Sequence, residues 1–192
     1  MLNNFTKLFN ILLDTGFIPS DWCIGIIKPL FKNKGSTEDP NNYRGITILS
    51  CFGKLFTSIL NNRIHFFIES FQALGYEQAG FRPGYSTTDH IFTLYGIIDV
   101  LLANKKKMYC AFLDYEKAFD KIDRTLLWQK LIEQNIQGKI LKVIQSMYDG
   151  AKSCIMSNYT VSDLFRVHTG VRQGENLSPI LFALFLNDMN DF

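Results

Sequence analysis

The stretch from Phe112 to Asp120 constrains this chain most, because it joins an apolar run to a carboxylate and a ring at fixed spacing. The run Met108–Asp114 predicts a β-strand that ends in Asp114. Phe119 follows at the start of a polar helix. A carboxylate at a strand end can hold a divalent cation, and a flat ring can wall the space beside it. A plain turn or cap role stays the open alternative for Asp114.

Predicted helices and mostly antiparallel strands alternate along the chain, which indicates an α+β fold. The predicted helices are Leu2–Leu13 with Gly16 as stop, Ser50 to about Glu69, Ser86 to about Asn104, Asp123 to about Gln134, Gly138–Tyr148, and one opening at Ser178 and Pro179. The other predicted strands are Trp22–Phe31, Ile46–Leu49 and a hairpin of Lys152–Met156 with Leu164–Val167.

Bulk composition limits the class of protein but does not indicate whether the chain binds nucleic acid. A length of 192 residues suits one domain or one and part of another, and a net charge of +2 neither demands nor excludes nucleic acid. The four cysteines form no C-x-x-C pair, so no zinc site is expected, and three of them lie in apolar runs that predict buried thiols in a reducing compartment. Without a signal peptide or membrane span, we expect a soluble intracellular protein, with nucleus or cytoplasm undecided.

A loop with two glycines precedes the last predicted helix, in the segment Gly170–Pro179. The glycines allow close backbone approach to a ligand, Gln173 can hydrogen-bond a base or sugar, and Arg172 can meet a phosphate. A polar connection with glycines needed only for backbone angles is the alternative. That alternative explains Gly170, but not the Arg and Gln placed between the glycines.

Two further segments carry cations. Arg82 lies in the turn Gln78–Asp89, where contact with phosphate and pairing with a carboxylate that pins the turn are equally open. Lys32, Lys34 and Arg44 surround a polar loop and suit a triphosphate, although Lys34 is better explained as an ordinary solvated lysine.

Taken in order, these blocks resemble the fingers and palm of reverse transcriptases, and above all those of non-LTR (LINE-type) retrotransposons. The segment Asn42–Ser50 is similar to their first fingers block, and Gln78–Asp89 to the block that follows. Phe112–Asp120 looks like palm motif A, and Gly170–Pro179 looks like motif B. Group II intron-type enzymes fit the first two blocks less well.

The resemblance implies a right-hand polymerase fold that copies RNA into DNA from dNTPs, with an RNA template, a DNA primer and two Mg²⁺ ions. Residues 1–107 would be mainly fingers and residues 108–192 a partial palm. The implied roles are metal binding by Asp114 and the Tyr115 backbone carbonyl, exclusion of a 2′-hydroxyl by Phe119, contact with the nascent pair by Gln173 and Gly174, triphosphate binding by Arg44 and Lys32, and support of the fingers by Arg82.

The sequence also departs from the family pattern. Glu175 and Asn176 replace a small or thiol residue and a Pro, which we expect to matter little for chemistry. The fold is expected to be truncated before motif C, an aromatic-x-Asp-Asp hairpin, and before the thumb, and Asp188 and Asp191 are not expected to substitute. One hypothesis is therefore a catalytically incomplete polymerase. The alternatives are a non-catalytic nucleic-acid-binding fragment and a decayed element with an apolar patch on the helix after motif B.

Overall fold

The computed structural model describes residues 2–157 and 160–189, and its mixed helix and strand content confirms the α+β prediction. The helices in these ranges are α1 (Leu2–Thr15), α2 (Cys51–Phe71), α3 (Thr87–Ala103), α4 (Arg124–Glu133), α5 (Lys139–Asp149) and α6 (Ser178–Phe185). The strands are β1 (Ile24–Phe31), β2 (Tyr43–Ile48), β3 (Lys152–Ser157), β4 (Thr160–Val161) and β5 (Phe165–Arg166). None of the helices in the described ranges is both long enough and apolar enough to cross a membrane.

One sheet joins strands from the two ends of the chain in the order β2-β1-β3-β4, with β5 also paired to β3. β1 runs antiparallel to β2, and parallel to β3. Pairing with β3 stops at Ile27, two residues before Pro29, which has no N–H to give to a ladder. The predicted hairpin is confirmed by the antiparallel pairing of β3 with β5. Strands before and after the middle helices therefore share one sheet.

Local capping signals set most helix boundaries as predicted. Ser50 accepts from Gly53 N at the start of α2, and Asp123 accepts from two backbone amides at the start of α4. Ser86 and Asp89 form the predicted capping box of α3. The prediction that Ser178 caps α6 is wrong: Ser178 lies inside the first turn, where its hydroxyl contacts the Tyr148 hydroxyl at 3.3 Å.

The core forms where α2, α4, α5 and α6 pack together, with α1 closing one side. Aromatic rings fill the contact between α1 and α2, with the ring centroids of Phe9 and Phe56 5.2 Å apart and that of Trp22 6.0 Å from Phe56. Cys23 and Cys154 are buried, whereas Cys51 and Cys110 are exposed, so the expectation of three buried thiols is wrong by one. An apolar run alone does not predict whether a side chain is buried, because burial also requires another element to pack against it.

The strand predicted over Met108–Asp114 is wrong. No described strand pairs with this segment, which has no regular secondary structure, and Tyr109 and Phe112 are 88% and 85% exposed. A β-strand satisfies its backbone amides and carbonyls only against a neighbouring strand, and an apolar sequence cannot supply that neighbour. Asp114 therefore lies on a segment without regular secondary structure.

Exposed apolar surface lies in a different place from the one expected. The patch anticipated on the helix after motif B is wrong, because Ile180, Leu181, Ala183 and Leu184 of α6 are buried in the core. The predicted α3 is present, but none of its residues is buried. Its outward apolar side chains, including Ile91, Phe92 and Tyr95, lie on the surface.

Replacing Phe56 by Ala is expected to lower the free energy of unfolding by about 3–5 kcal/mol, because the ring is fully buried between α1 and α2. Phe66 lies on the same helix but is 77% exposed, so Phe66→Ala should change that free energy by less than about 0.5 kcal/mol. Urea unfolding of both variants measures the difference. Equal losses would contradict this description of the core.

Candidate active site

An open cleft of about 910 Å³ lies where the end of β1, strand β2, residues 114–120 and residues 172–179 meet. Most side chains singled out from the sequence line it. Those that the cleft brings together are Lys32, Arg44, Asp114, Tyr115, Phe119, Arg172, Gln173 and Gly174. Arg82 is not among them.

One wall of the cleft carries two cations, Arg44 on β2 and Lys32 just after β1. Arg44 lies opposite Leu30 in the ladder, and its side chain is exposed. Lys32 follows the end of β1, and its ammonium donates to the Asn41 carbonyl at 2.8 Å. The hairpin thereby presents two positive charges to the same space, which suits an anionic ligand.

Asp114 reaches the cleft from a segment without regular secondary structure, and Phe119 lies in a turn rather than at the start of the expected helix, since α4 begins only at Arg124. The Asp114 carboxylate is exposed, and the hydroxyl of the next residue, Tyr115, donates to the Met189 sulfur at 3.2 Å. Carboxylate and carbonyl oxygens are the donors that Mg²⁺ prefers. Among residues 2–157 and 160–189, however, no three His, Cys, Asp or Glu side chains gather as a metal site.

Phe119 forms the inner wall of the cleft and is half-buried. Its ring stacks on Phe182 with centroids 5.0 Å apart and meets the edge of Phe81 at 5.9 Å. Contacts on two sides hold the ring in one position, so it can limit the shape of a ligand beside it.

The loop that carries Gln173 is joined to both neighbouring segments through its main chain. Val171 N donates to the Phe119 carbonyl at 2.7 Å, and Thr47 N donates to the Gln173 carbonyl at 2.9 Å. A Cβ on Gly174 would lie 2.6 Å from the Thr47 carbonyl oxygen, and one on Gly170 equally close to that of Phe119. Both glycines also have positive φ, so close approach as well as backbone angle requires them.

Arg172 does not present its guanidinium to the cleft as the sequence suggested. The side chain is buried, and its terminal nitrogens donate to the carbonyls of Trp22, Cys23 and Met147. These carbonyls engage its terminal nitrogens, so Arg172 supports the loop from behind and the expected phosphate contact is wrong.

Arg82 takes the structural one of its two proposed roles. It binds both carboxylate oxygens of Glu69, at 2.9 and 3.0 Å, and donates to the carbonyls of Gly75 and Gln78. Its guanidinium also lies 4.1 Å from the centre of the Tyr85 ring. Since the side chain is only 3% exposed, Arg82 pins the turn to α2.

Sequence reasoning missed the role of Glu175. Its buried carboxylate accepts from the Thr57 hydroxyl at 2.5 Å and from Asn176 N at 2.9 Å. The Asn176 amide donates to the Lys54 carbonyl at 2.9 Å. The two departures from the family pattern thus fasten the Gln173 loop to α2, and no pattern within the loop signals partners more than a hundred residues away.

Of the two acidic residues after α6, Asp188 and Asp191, the structure describes only Asp188. Asp188 forms an ion pair with Lys130, and this hydrogen bond holds the pKa of Asp188 below its usual range. Asp191 lies outside the described residues. Asp188 is therefore paired with α4 and is not among the residues that line the cleft.

Comparison with known families gives a match over residues 31–191 to a family model described as reverse transcriptase (RNA-dependent DNA polymerase). The match covers most of the chain and includes the whole cleft. It also contains all four blocks whose order pointed to this family.

Individual relatives agree with the family match. The chain is 29% identical over 186 residues to a probable RNA-directed DNA polymerase from transposon X-element of Drosophila melanogaster, covering 96% of this chain and 20% of the relative. It is 26% identical over 182 residues to the RNA-directed DNA polymerase from mobile element jockey of the same organism, covering 95% and 20%. It is 27% identical to the Pol polyprotein of the retrotransposable element R2DM over 188 residues, covering 94% and 17%. The chain therefore spans about a fifth of the length of these relatives.

Thr57→Val is expected to lower the free energy of unfolding by about 1–3 kcal/mol, because it removes one of the two hydrogen-bond donors to the buried Glu175 carboxylate. Thr57→Ser keeps the hydroxyl and should lose much less. Chemical denaturation of the two variants makes the comparison, and equal stability of Thr57→Val and wild type would show that the contact contributes nothing.

The Arg82 hydrogen bonds hold the pKa of Glu69 below its ordinary value. Because the folded pKa is the lower one, the stabilisation is complete above the unfolded pKa of about 4.3 and is lost as pH falls through the folded value. Glu69→Gln should therefore flatten the fall in stability below about pH 5, by about 1 kcal/mol or less since Glu69 is 42% exposed. Unfolding free energies across this range test the sign, with Glu38→Gln as an exposed control.

Proposed function

Because the chain belongs to the reverse transcriptase family, in its non-LTR (LINE-type) branch, we propose that its cleft binds the incoming dNTP during RNA-directed DNA synthesis. The observation that carries the proposal is that one open cleft gathers the cations Lys32 and Arg44, the Asp114 carboxylate and the Gln173 loop. A nucleoside triphosphate needs these three features together: positive charge for its phosphates, oxygen ligands for its metal, and a shaped wall for its sugar and base.

The reaction we propose is transfer of a nucleotidyl group to the 3′-hydroxyl of a DNA primer on an RNA template. The primer oxygen forms a bond to the α-phosphorus, and the bond to the pyrophosphate oxygen breaks. We assign residues 1–107 mainly to the fingers and residues 108–192 to part of the palm of this polymerase, with the sheet of β1, β2 and β3 linking them.

Arg44 and Lys32 are assigned to the triphosphate. Both lie on the hairpin wall of the cleft, and an arginine fork can bind phosphate oxygens at two points. Their charges offset the negative charge that gathers on the leaving pyrophosphate. Lys34 also lines the cleft but is exposed in the loop, and we assign it no contact.

Asp114 and the Tyr115 carbonyl are assigned to magnesium. Mg²⁺ commonly takes one or two protein carboxylates and completes its octahedron with waters and substrate phosphates, so this sparse oxygen set fits ions that arrive with the triphosphate. Bound magnesium would lower the pKa of the primer hydroxyl and stabilise the departing pyrophosphate. The exposed position of Asp114 leaves its oxygens free for that role.

Phe119, Gln173 and Gly174 are assigned to the sugar and base. The packed Phe119 ring stands where it can refuse the extra oxygen of a ribonucleotide. Gln173 lines the same cleft as Phe119, and its half-exposed side-chain amide donates to the Asp120 carboxylate at 3.4 Å. In our proposal this amide turns to the base pair when a nucleotide binds. Gly174 keeps the loop close to β2 on the template side.

Asp114→Asn and Arg44→Ala are each expected to weaken binding of magnesium dNTP, in the presence of a primed RNA template, by about tenfold or more. Each removes a charge-assisted contact of about 1.5–3 kcal/mol, and 1.4 kcal/mol is a factor of ten in affinity. Titration calorimetry of the chain measures the dissociation constants. Asp163→Asn, in the exposed loop between β4 and β5, is the matched control and should bind as wild type does.

Two results would contradict the assignment. One is dNTP binding by wild type that is the same with and without magnesium. The other is an Asp114→Asn affinity equal to that of the Asp163→Asn control.

A further inference from the structure

Arg124, the first residue of α4, donates four hydrogen bonds to backbone carbonyls. Its Nε donates to Gly170 O at 2.9 Å, and its terminal nitrogens donate to Tyr148 O at 3.1 Å, Val167 O at 2.7 Å and Thr169 O at 3.1 Å. Four contacts occupy nearly all the donors of a guanidinium. Three of the four hold the segment that leads directly into the Gln173 loop.

The segment just before Arg124 also accepts hydrogen bonds from the chain that leads into the Gln173 loop. Gly170 N donates to Ile122 O at 2.8 Å, and Val171 N donates to Phe119 O at 2.7 Å. Gly170 therefore donates its amide N–H to Ile122, and its carbonyl accepts from Arg124. Residues 119–124, which begin with Phe119, and residues 167–171, which end two positions before Gln173, are therefore hydrogen-bonded in both directions.

The end of α5 holds the guanidinium in place. The Tyr148 carbonyl belongs to the last turn of α5, where the helix dipole favours a cation. The buried Tyr148 ring lies with its centre 5.0 Å from the Arg124 guanidinium carbon. Partial burial lowers the pKa of Arg124 from its usual high value, which still leaves it charged at neutral pH.

We propose that Arg124 is a positioning residue that sets the spacing between Phe119 and Gln173, the two walls of the cleft that face the nucleotide sugar and base. The inference rests on the proposed function for its consequence, since the spacing matters only if a nucleotide binds between these walls. A monodentate cation cannot replace the guanidinium, because the carbonyls of residues 148, 167, 169 and 170 surround it as a planar fork requires.

The test compares Arg124→Ala with Arg82→Ala by amide hydrogen exchange of the 192-residue chain. Arg124→Ala should raise exchange at the Thr47, Gly170 and Val171 amides by about tenfold or more, as expected when several charge-assisted hydrogen bonds are lost. Arg82→Ala, which removes an equally bound arginine, should raise exchange around residues 75–85 and leave those three amides unchanged.

Chemical rescue separates positioning from general loss of packing. A cavity of about 330 Å³ beside Arg124 and the Gln173 loop gives small ions access. Millimolar guanidinium should restore both the protection of these amides and the magnesium dNTP affinity of Arg124→Ala, whereas methylammonium at the same concentration should restore neither.

The outcomes distinguish the two ideas. If wild type binds dNTP and Arg124→Ala binds it equally well, or if exchange at Gly170 and Val171 is unchanged, the positioning role is overturned. If wild type binds no nucleotide, the proposed function fails, while selective loss of protection rescued by guanidinium would still assign control of the loop to Arg124.

Discussion

The cleft depends on the main-chain joining of one loop to two other segments. The Val171 amide bonded to Phe119 and the Thr47 amide bonded to Gln173 bring the sheet, the Phe119 turn and the Gln173 loop to a single place. Glycines at positions 170 and 174 permit this approach, since any Cβ there would collide with a carbonyl. Without these contacts the cations, the carboxylate and the amide would belong to three unrelated surfaces.

Buried charge supports the same loop from behind. Arg124 binds carbonyls just before Val171, and Arg172 binds carbonyls of Trp22 and Cys23. Glu175 accepts a hydrogen bond from the Thr57 hydroxyl of α2. All three groups make hydrogen bonds inside the fold, which offsets part of the cost of removing their charges from water. The family pattern drew attention to the exposed side chains of the cleft, but these paired interior groups determine where those side chains stand.

Much of the fold followed from the sequence, and the failures share a cause. Caps at Ser50, Ser86 and Asp123 placed three helices correctly, because a cap and the amides it binds lie within a few residues. The strand over residues 108–114 failed because strand formation depends on a distant partner. The phosphate role of Arg172 failed because its partners at residues 22, 23 and 147 are invisible to local pattern.

By itself the sequence determined the helices, the α+β class and the family, since four ordered blocks and short-range capping chemistry are written directly in neighbouring residues. Only the tertiary structure decided which polar side chains face the cleft and which are consumed as support. It also decided that α6 is buried while α3 stays exposed. These outcomes depend on desolvation and on contacts between residues far apart in the chain. Both form only when the chain folds, so a local sequence pattern does not reveal them.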